Sequence, residues 1–74
     1  MTLTTIAVLG GTGKEGKGLA FRWAHAGYSI IIGSRDAERA QTAANELNAL
    51  LGAGFNVRGL HNTDAARACD IAVL

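Results

Sequence analysis

A chain of 74 residues with a net charge of +1 and 49% hydrophobic residues has room for one small folded unit. The near-neutral balance and the scatter of basic residues speak against a nucleic-acid or acidic-membrane surface. The single cysteine, Cys69, excludes an internal disulfide, and no Cys/His grouping offers a structural zinc site, so a reducing, cytoplasmic setting is expected.

Residues Met1 to Thr5 place no positive charge ahead of the short apolar run Ile6 to Leu9, which stops at glycines; they read as neither signal peptide nor membrane span. Thr5 to Leu9 is the first expected strand. A helix is expected over Gly16 to Ala26, with Leu19 and Trp23 on one stripe and Ala20 and Ala24 on another, both able to face a sheet, and Trp23 in or near the core. Gly27 follows it, and Ser29 to Ile32 reads as the second strand. The next helix is expected over Ala37 to Leu51, capped by Ser34 or Asp36 and closed by Gly52. Its inward face is Ala40, Ala43, Ala44, Leu47 and Leu50 or Leu51, while Glu38, Arg39, Gln41 and Asn45 stay outside as plain scaffold. Phe55 to Leu60 is the third expected strand, Asp64 to Cys69 a short helix with Thr63 at its cap, and Asp70 to Leu74 the fourth strand.

Strand and helix alternate throughout, and the strands are continuously apolar rather than alternating. That pattern belongs to a parallel sheet covered by helices on both faces, hence an α/β fold with the order β-α-β-α-β-α-β, residues 1–74 forming one nucleotide-binding unit. The fourth strand would leave an apolar edge unpaired. This predicts either the first half of a longer protein or a homodimer formed through that edge.

The informative segment is Leu9-Gly10-Gly11-Thr12-Gly13-Lys14-Glu15-Gly16. Gly11, Gly13 and Gly16 make G-x-G-x-x-G directly after a strand and directly before a helix, the setting of a Rossmann-type dinucleotide site. In that reading Gly11 permits the tight turn, Gly13 admits the pyrophosphate, and Gly16 lets helix pack against strand. The unpaired N–H groups and positive dipole end of the helix then face the phosphates.

The second strand ends in Gly33-Ser34-Arg35, where the adenosine ribose is met roughly 20 residues after the glycines. A site for NAD presents a carboxylate there. Arg35 instead offers a guanidinium to a 2′-phosphate, and Ser34 a hydroxyl, which favours NADP. Asp36 is the competing signal for NAD, and its position before an Ala-rich helix favours a capping role. Lys14 reads equally as a phosphate contact or an exposed loop lysine. His25 and His61 have no matched partner in the sequence, Cys69 reads as a small buried side chain, and Asn62 and Thr63 either approach the adenine or cap the next helix.

Ile6-Ala7-Val8-Leu9-Gly10-Gly11-Thr12-Gly13, Gly16-Lys17-Gly18-Leu19-Ala20, Gly33-Ser34-Arg35, Asp64-Ala65-Ala66 and Cys69-Asp70-Ile71-Ala72-Val73-Leu74, taken together, resemble the NADPH-dependent reductases of the deazaflavin coenzyme F420. The resemblance implies direct hydride transfer between the nicotinamide and deazaflavin rings, with the chemistry residing in the cofactors. It implies that Thr12 and the glycine loop hold the pyrophosphate and that Ser34 and Arg35 hold the 2′-phosphate; no role carries over to Lys14 or Glu15. The segments cradling nicotinamide and deazaflavin are expected after the fourth strand, so no catalytic residue is expected among these 74. Two other readings fit the glycine loop: a redox-sensing NADP-binding module without chemistry, and a related reductase with a flavin or metal acceptor.

Overall fold

A computed structural model describes residues 4–74; the reading of Met1 to Leu3 as free of a targeting signal lies outside the described residues. The elements are β1 (Thr5–Leu9), α1 (Lys14–His25), β2 (Ser29–Ser34), α2 (Ala37–Leu51), β3 (Arg58–His61), α3 (Asn62–Ala68) and β4 (Ile71–Val73). All strands pair in parallel in the order β3-β2-β1-β4. The α/β order expected from the sequence is the order observed, a Rossmann-type sheet.

Both faces of the sheet are covered, and the period of two along each strand divides the core between them. Ile6 and Val8 of β1 and Ile30 and Ile32 of β2 pack with Ala20 and Ala24 of α1 and with Ala40, Ala43, Ala44 and Leu47 of α2. The intervening Ala7 and Ile31 point the other way, onto Ala65 of α3. Ile30, Ile31 and Ile32 are therefore all fully buried in succession, which is why this strand reads as an unbroken apolar run. Small alanines on the helices let them lie close to the sheet. The closest approach is at Gly59 of β3, where a Cβ would collide with the Ala40 backbone of α2. Trp23 is half-buried against the larger core cluster and Leu51 joins it, whereas Leu50 is 73% exposed.

Several boundaries differ from those expected. The helix α1 starts at Lys14, two residues early, because Gly13 is its N-cap and its carbonyl accepts from the Lys17 N–H at 2.9 Å. Lys14 and Glu15 therefore belong to the first helical turn rather than to the loop. The strand β3 begins at Arg58, not Phe55. The cause is Asn48 of α2, whose amide satisfies both backbone groups of Val57: Oδ1 accepts from Val57 N at 2.7 Å and Nδ2 donates to Val57 O at 2.9 Å. A side chain thus replaces the strand ladder at that residue. The helix α3 begins at Asn62 and is capped by His61, whose Nδ1 accepts from Thr63 N at 3.1 Å, so Thr63 is not the cap. Cys69 lies just beyond that helix and is half-buried, its Sγ donating to Ala66 O at 3.3 Å.

At the edge remote from the glycine loop, Asp70 ties β4 to β1: its N–H donates to Thr5 O and its carboxylate accepts from Thr5 N, each at 2.8 Å. His25 stacks between Phe21 and Phe55, with centroid separations of 6.2 and 6.3 Å, a packing role at the C-terminal end of α1. Among the described residues no helix is long and apolar enough to cross a membrane.

Val57 is 3% exposed, so removing its amide partners strands two buried backbone groups. Asn48→Ala is expected to lower the stability of the fold by about 1–3 kcal/mol in urea denaturation. Asn48→Asp, which keeps an acceptor for Val57 N but turns a carboxylate oxygen towards Val57 O, is expected to be destabilising as well.

Candidate functional site

The C-terminal ends of β1, β2 and β3 lie side by side, with Leu9 opposite Gly33 and Ser34 opposite His61. In an open parallel sheet this edge is where ligands bind, since the loops and helix N-termini that follow the strands converge there.

The glycine loop fills the space above β1. Gly10 has φ +66°, a conformation that a side chain would strain, so the sharp change of direction falls there rather than at Gly11. Gly11 is required for a different reason: a Cβ there would sit 2.7 Å from the Val8 carbonyl oxygen. Its N–H donates to Gly33 O at 3.0 Å, pinning the loop to β2. Gly16 lets α1 close on the loop, since its Cβ would lie 2.7 Å from the Gly11 Cα. The close approach expected at position 16 is present, made to the loop rather than to the strand. Around Gly13, by contrast, a Cβ would meet nothing within 4 Å. The loop is dense at its base and open at its tip.

At that tip the N-terminus of α1 has no side-chain cap. Its first N–H groups and the positive end of its dipole are left for an external acceptor. The N-terminus of α2 is treated oppositely: Asp36 Oδ1 accepts from Glu38 N at 2.9 Å and Arg39 N at 3.4 Å. Asp36 is thus the helix cap, as the sequence indicated, with its Oδ1 committed to backbone amides.

A cleft of about 460 Å³ opens between the two helix starts, lined by Gly10, Thr12, Ser34, Arg35, Asp36, Arg39 and Asn62. Ser34 is buried, and its Oγ accepts from Asp36 N at 3.2 Å, which leaves its O–H proton to donate elsewhere. Arg35 and Arg39 are exposed, and among the described residues neither guanidinium is in a salt bridge. A second cleft of about 420 Å³ continues past Thr12 and Gly13 towards Lys17 and Thr42, and Arg39 lines this one too. Lys17 is already paired with Glu46 at 3.1 Å. Gly13, Lys14, Glu15 and Leu19 face a third hollow, bounded on its far side by Leu74.

The structure brings Thr12, Ser34 and Arg35 together around one cleft, puts Gly13 at the open tip, and gives Gly11 and Gly16 the task of shaping the loop. Arg39 is the residue that sequence reading placed on the outer face of a scaffold helix. Its signal was its spacing: four residues after Arg35 and three after the cap, it stands in the first turn of α2, directed at the cleft. Taken as a whole, the edge carries backbone amides at one end and two guanidinium groups at the other, donors of the kind that pair with anions.

Residues 5–74 match the family described as NADP oxidoreductase coenzyme F420-dependent. The chain belongs to this family. Three curated members, each named F420-dependent NADP reductase, show the extent of the similarity. The protein of Methanothermobacter thermautotrophicus is 51% identical over 70 residues, that of Methanothermobacter marburgensis 49% over 70, and that of Methanocaldococcus jannaschii 46% over 72. The aligned region covers 93% of this chain in each case but only 30%, 31% and 32% of those relatives, so the chain spans about a third of their length. Among solved structures, a short-chain type dehydrogenase/reductase from Mycobacterium ulcerans superposes with a TM-score of 0.63 at 33% identity, over 80% of this chain and 22% of that one.

Gly13 and Gly16 differ in what surrounds them, and stability measurements should separate them. Gly16→Ala is expected to destabilise the fold by about 1–3 kcal/mol through the clash with Gly11. Gly13→Ala, facing open space at an extended backbone position, is expected to cost less than about 1 kcal/mol. Thermal denaturation of the two variants side by side checks this.

Proposed function

We propose that this chain is the NADP(H)-binding part of an oxidoreductase that transfers hydride between NADPH and the deazaflavin coenzyme F420. The observation that carries the reading is that Arg35 and Arg39, in no salt bridge among the described residues, line the cleft at the end of β2 next to a carboxylate whose Oδ1 is occupied in capping. A ribose 2′-phosphate needs such donors, and an NAD site would need Asp36 free. Membership in an F420-dependent family and the names of the relatives support the choice of hydride partner.

The residues present fit NADP. Gly13 and the uncapped start of α1 would hold the pyrophosphate, with Thr12 beside them, and Ser34, Arg35 and Arg39 would hold the 2′-phosphate. The bound nicotinamide supplies the hydride. The chain's own residues bind and orient: α1 offsets pyrophosphate charge, Gly11 and Gly16 hold the loop rigid, and the two arginines select the phosphorylated nucleotide.

A charge-assisted bond of this kind contributes about 1.5–3 kcal/mol, on the order of a ten- to hundredfold change in affinity. Calorimetric titration should therefore show NADPH bound more tightly than NADH. Arg35→Asp is expected to weaken NADPH by at least that factor while leaving NADH nearly unchanged, and Arg39→Ala to act in the same direction more weakly. Equal affinity for the two nucleotides in the unsubstituted protein would overturn the assignment. Loss of the oxidised deazaflavin's absorbance on mixing NADPH with coenzyme F420 and a protein extended beyond β4 tests the acceptor separately.

A further inference from the structure

Asn62 makes a side-chain contact that neither the strand nor the helix beside it explains. It is the first residue of α3, one position beyond the His61–Ser34 pairing, and it lines the cleft that also holds Ser34, Arg35 and Arg39. Its Oδ1 accepts from Gly10 N at 3.2 Å. Because a backbone N–H can only donate, this bond fixes which end of the amide faces the loop, and the two N–H groups of Nδ2 remain as donors. Among the described residues no protein group accepts from that nitrogen. The position is also reserved: a Cβ on Gly33 would lie 2.7 Å from Asn62 Oδ1, so β2 omits a side chain where Asn62 reaches across.

We infer that Asn62 is a two-ended bracket: its carbonyl end holds the glycine loop through Gly10, and its amide end donates to the 2′-phosphate of a bound nicotinamide dinucleotide phosphate. The inference rests on the NADP(H) reading above. It makes Asn62 a specificity-determining residue as well as a positioning one, joining a strand-end side chain to both halves of the site. A phosphate dianion beside Arg35 and Arg39 has more acceptor sites than one guanidinium fills, and a neutral amide donor adds a bond without further charge repulsion between cations.

Asn62→Asp separates the two ends, since a carboxylate still accepts from Gly10 N but repels the phosphate. In the intact protein this variant is expected to keep slow amide hydrogen exchange at Gly10, to weaken NADPH about tenfold or more in calorimetry, and to leave NADH within about twofold. Asn62→Ala is expected to lose the Gly10 protection and to weaken both nucleotides. If Asn62→Asp binds NADPH within twofold of the unsubstituted protein, or weakens NADPH and NADH equally, the amide end contacts no 2′-phosphate and the inference fails. Arg35→Asp measured in parallel keeps the outcomes apart: an NADPH loss there with none in Asn62→Asp removes only the bracket, whereas no NADPH preference in the unsubstituted protein removes both.

Discussion

The edge of the sheet that carries the glycine loop depends on the missing side chain at Gly33. Its carbonyl accepts from Gly11 N, and the empty space above its Cα admits the Asn62 amide, which in turn accepts from Gly10 N. Two successive loop amides are thereby held from β2 and from the end of β3. A loop with φ +66° at Gly10 would otherwise have many conformations open to it. Gly11 and Gly16 complete the arrangement by letting α1 settle directly on the held loop. Backbone contacts, rather than side-chain packing, thus set where the helix N-terminus points.

The two helices that begin at this edge are used differently, and one carboxylate makes the difference. Asp36 satisfies the first amides of α2, so that helix presents its arginines rather than its backbone. Gly13 satisfies none of the first amides of α1 through a side chain, so that helix presents its backbone. An elongated ligand with phosphates at both places meets guanidinium groups at one and aligned amides at the other. This division suits a diphosphate bridge approached closely by bare backbone and a terminal phosphate reached by longer side chains.

The same economy of side chains governs the core. Three fully buried isoleucines in β2 face alternate sides of the sheet, and alanines on the helices bring those helices near enough to cover both. Where even alanine in the strand would be too large, Gly59 lies under α2. Asn48 then fastens the far end of α2 to Val57, setting where β3 starts and, through its register with β2, where Asn62 emerges. A polar clamp at one end of the sheet in this way helps place a donor at the other.

The alternation of strands and helices, the parallel sheet, the glycine loop, the Asp36 cap and the position of Arg35 just beyond β2 were all legible in the amino-acid order. Each rests on periodicity, on a residue's own backbone preference or on neighbours a few positions away. Arg39 showed only in its spacing from Arg35 and the cap, while the contacts of Asn62, Gly33 and Gly59 and the late start of β3 at Arg58 were not legible. Their roles come from partners far along the chain: Asn62 with Gly10, Gly33 with Gly11, Gly59 with Ala40, and Asn48 with Val57. Local sequence determines which segments become strand, loop and helix because those choices are made by short-range sterics and hydrogen bonding. Which backbone amides are clamped and which cations share a cleft was decided only when parallel pairing brought three strand ends to one edge, since that proximity exists in no stretch of the chain taken alone.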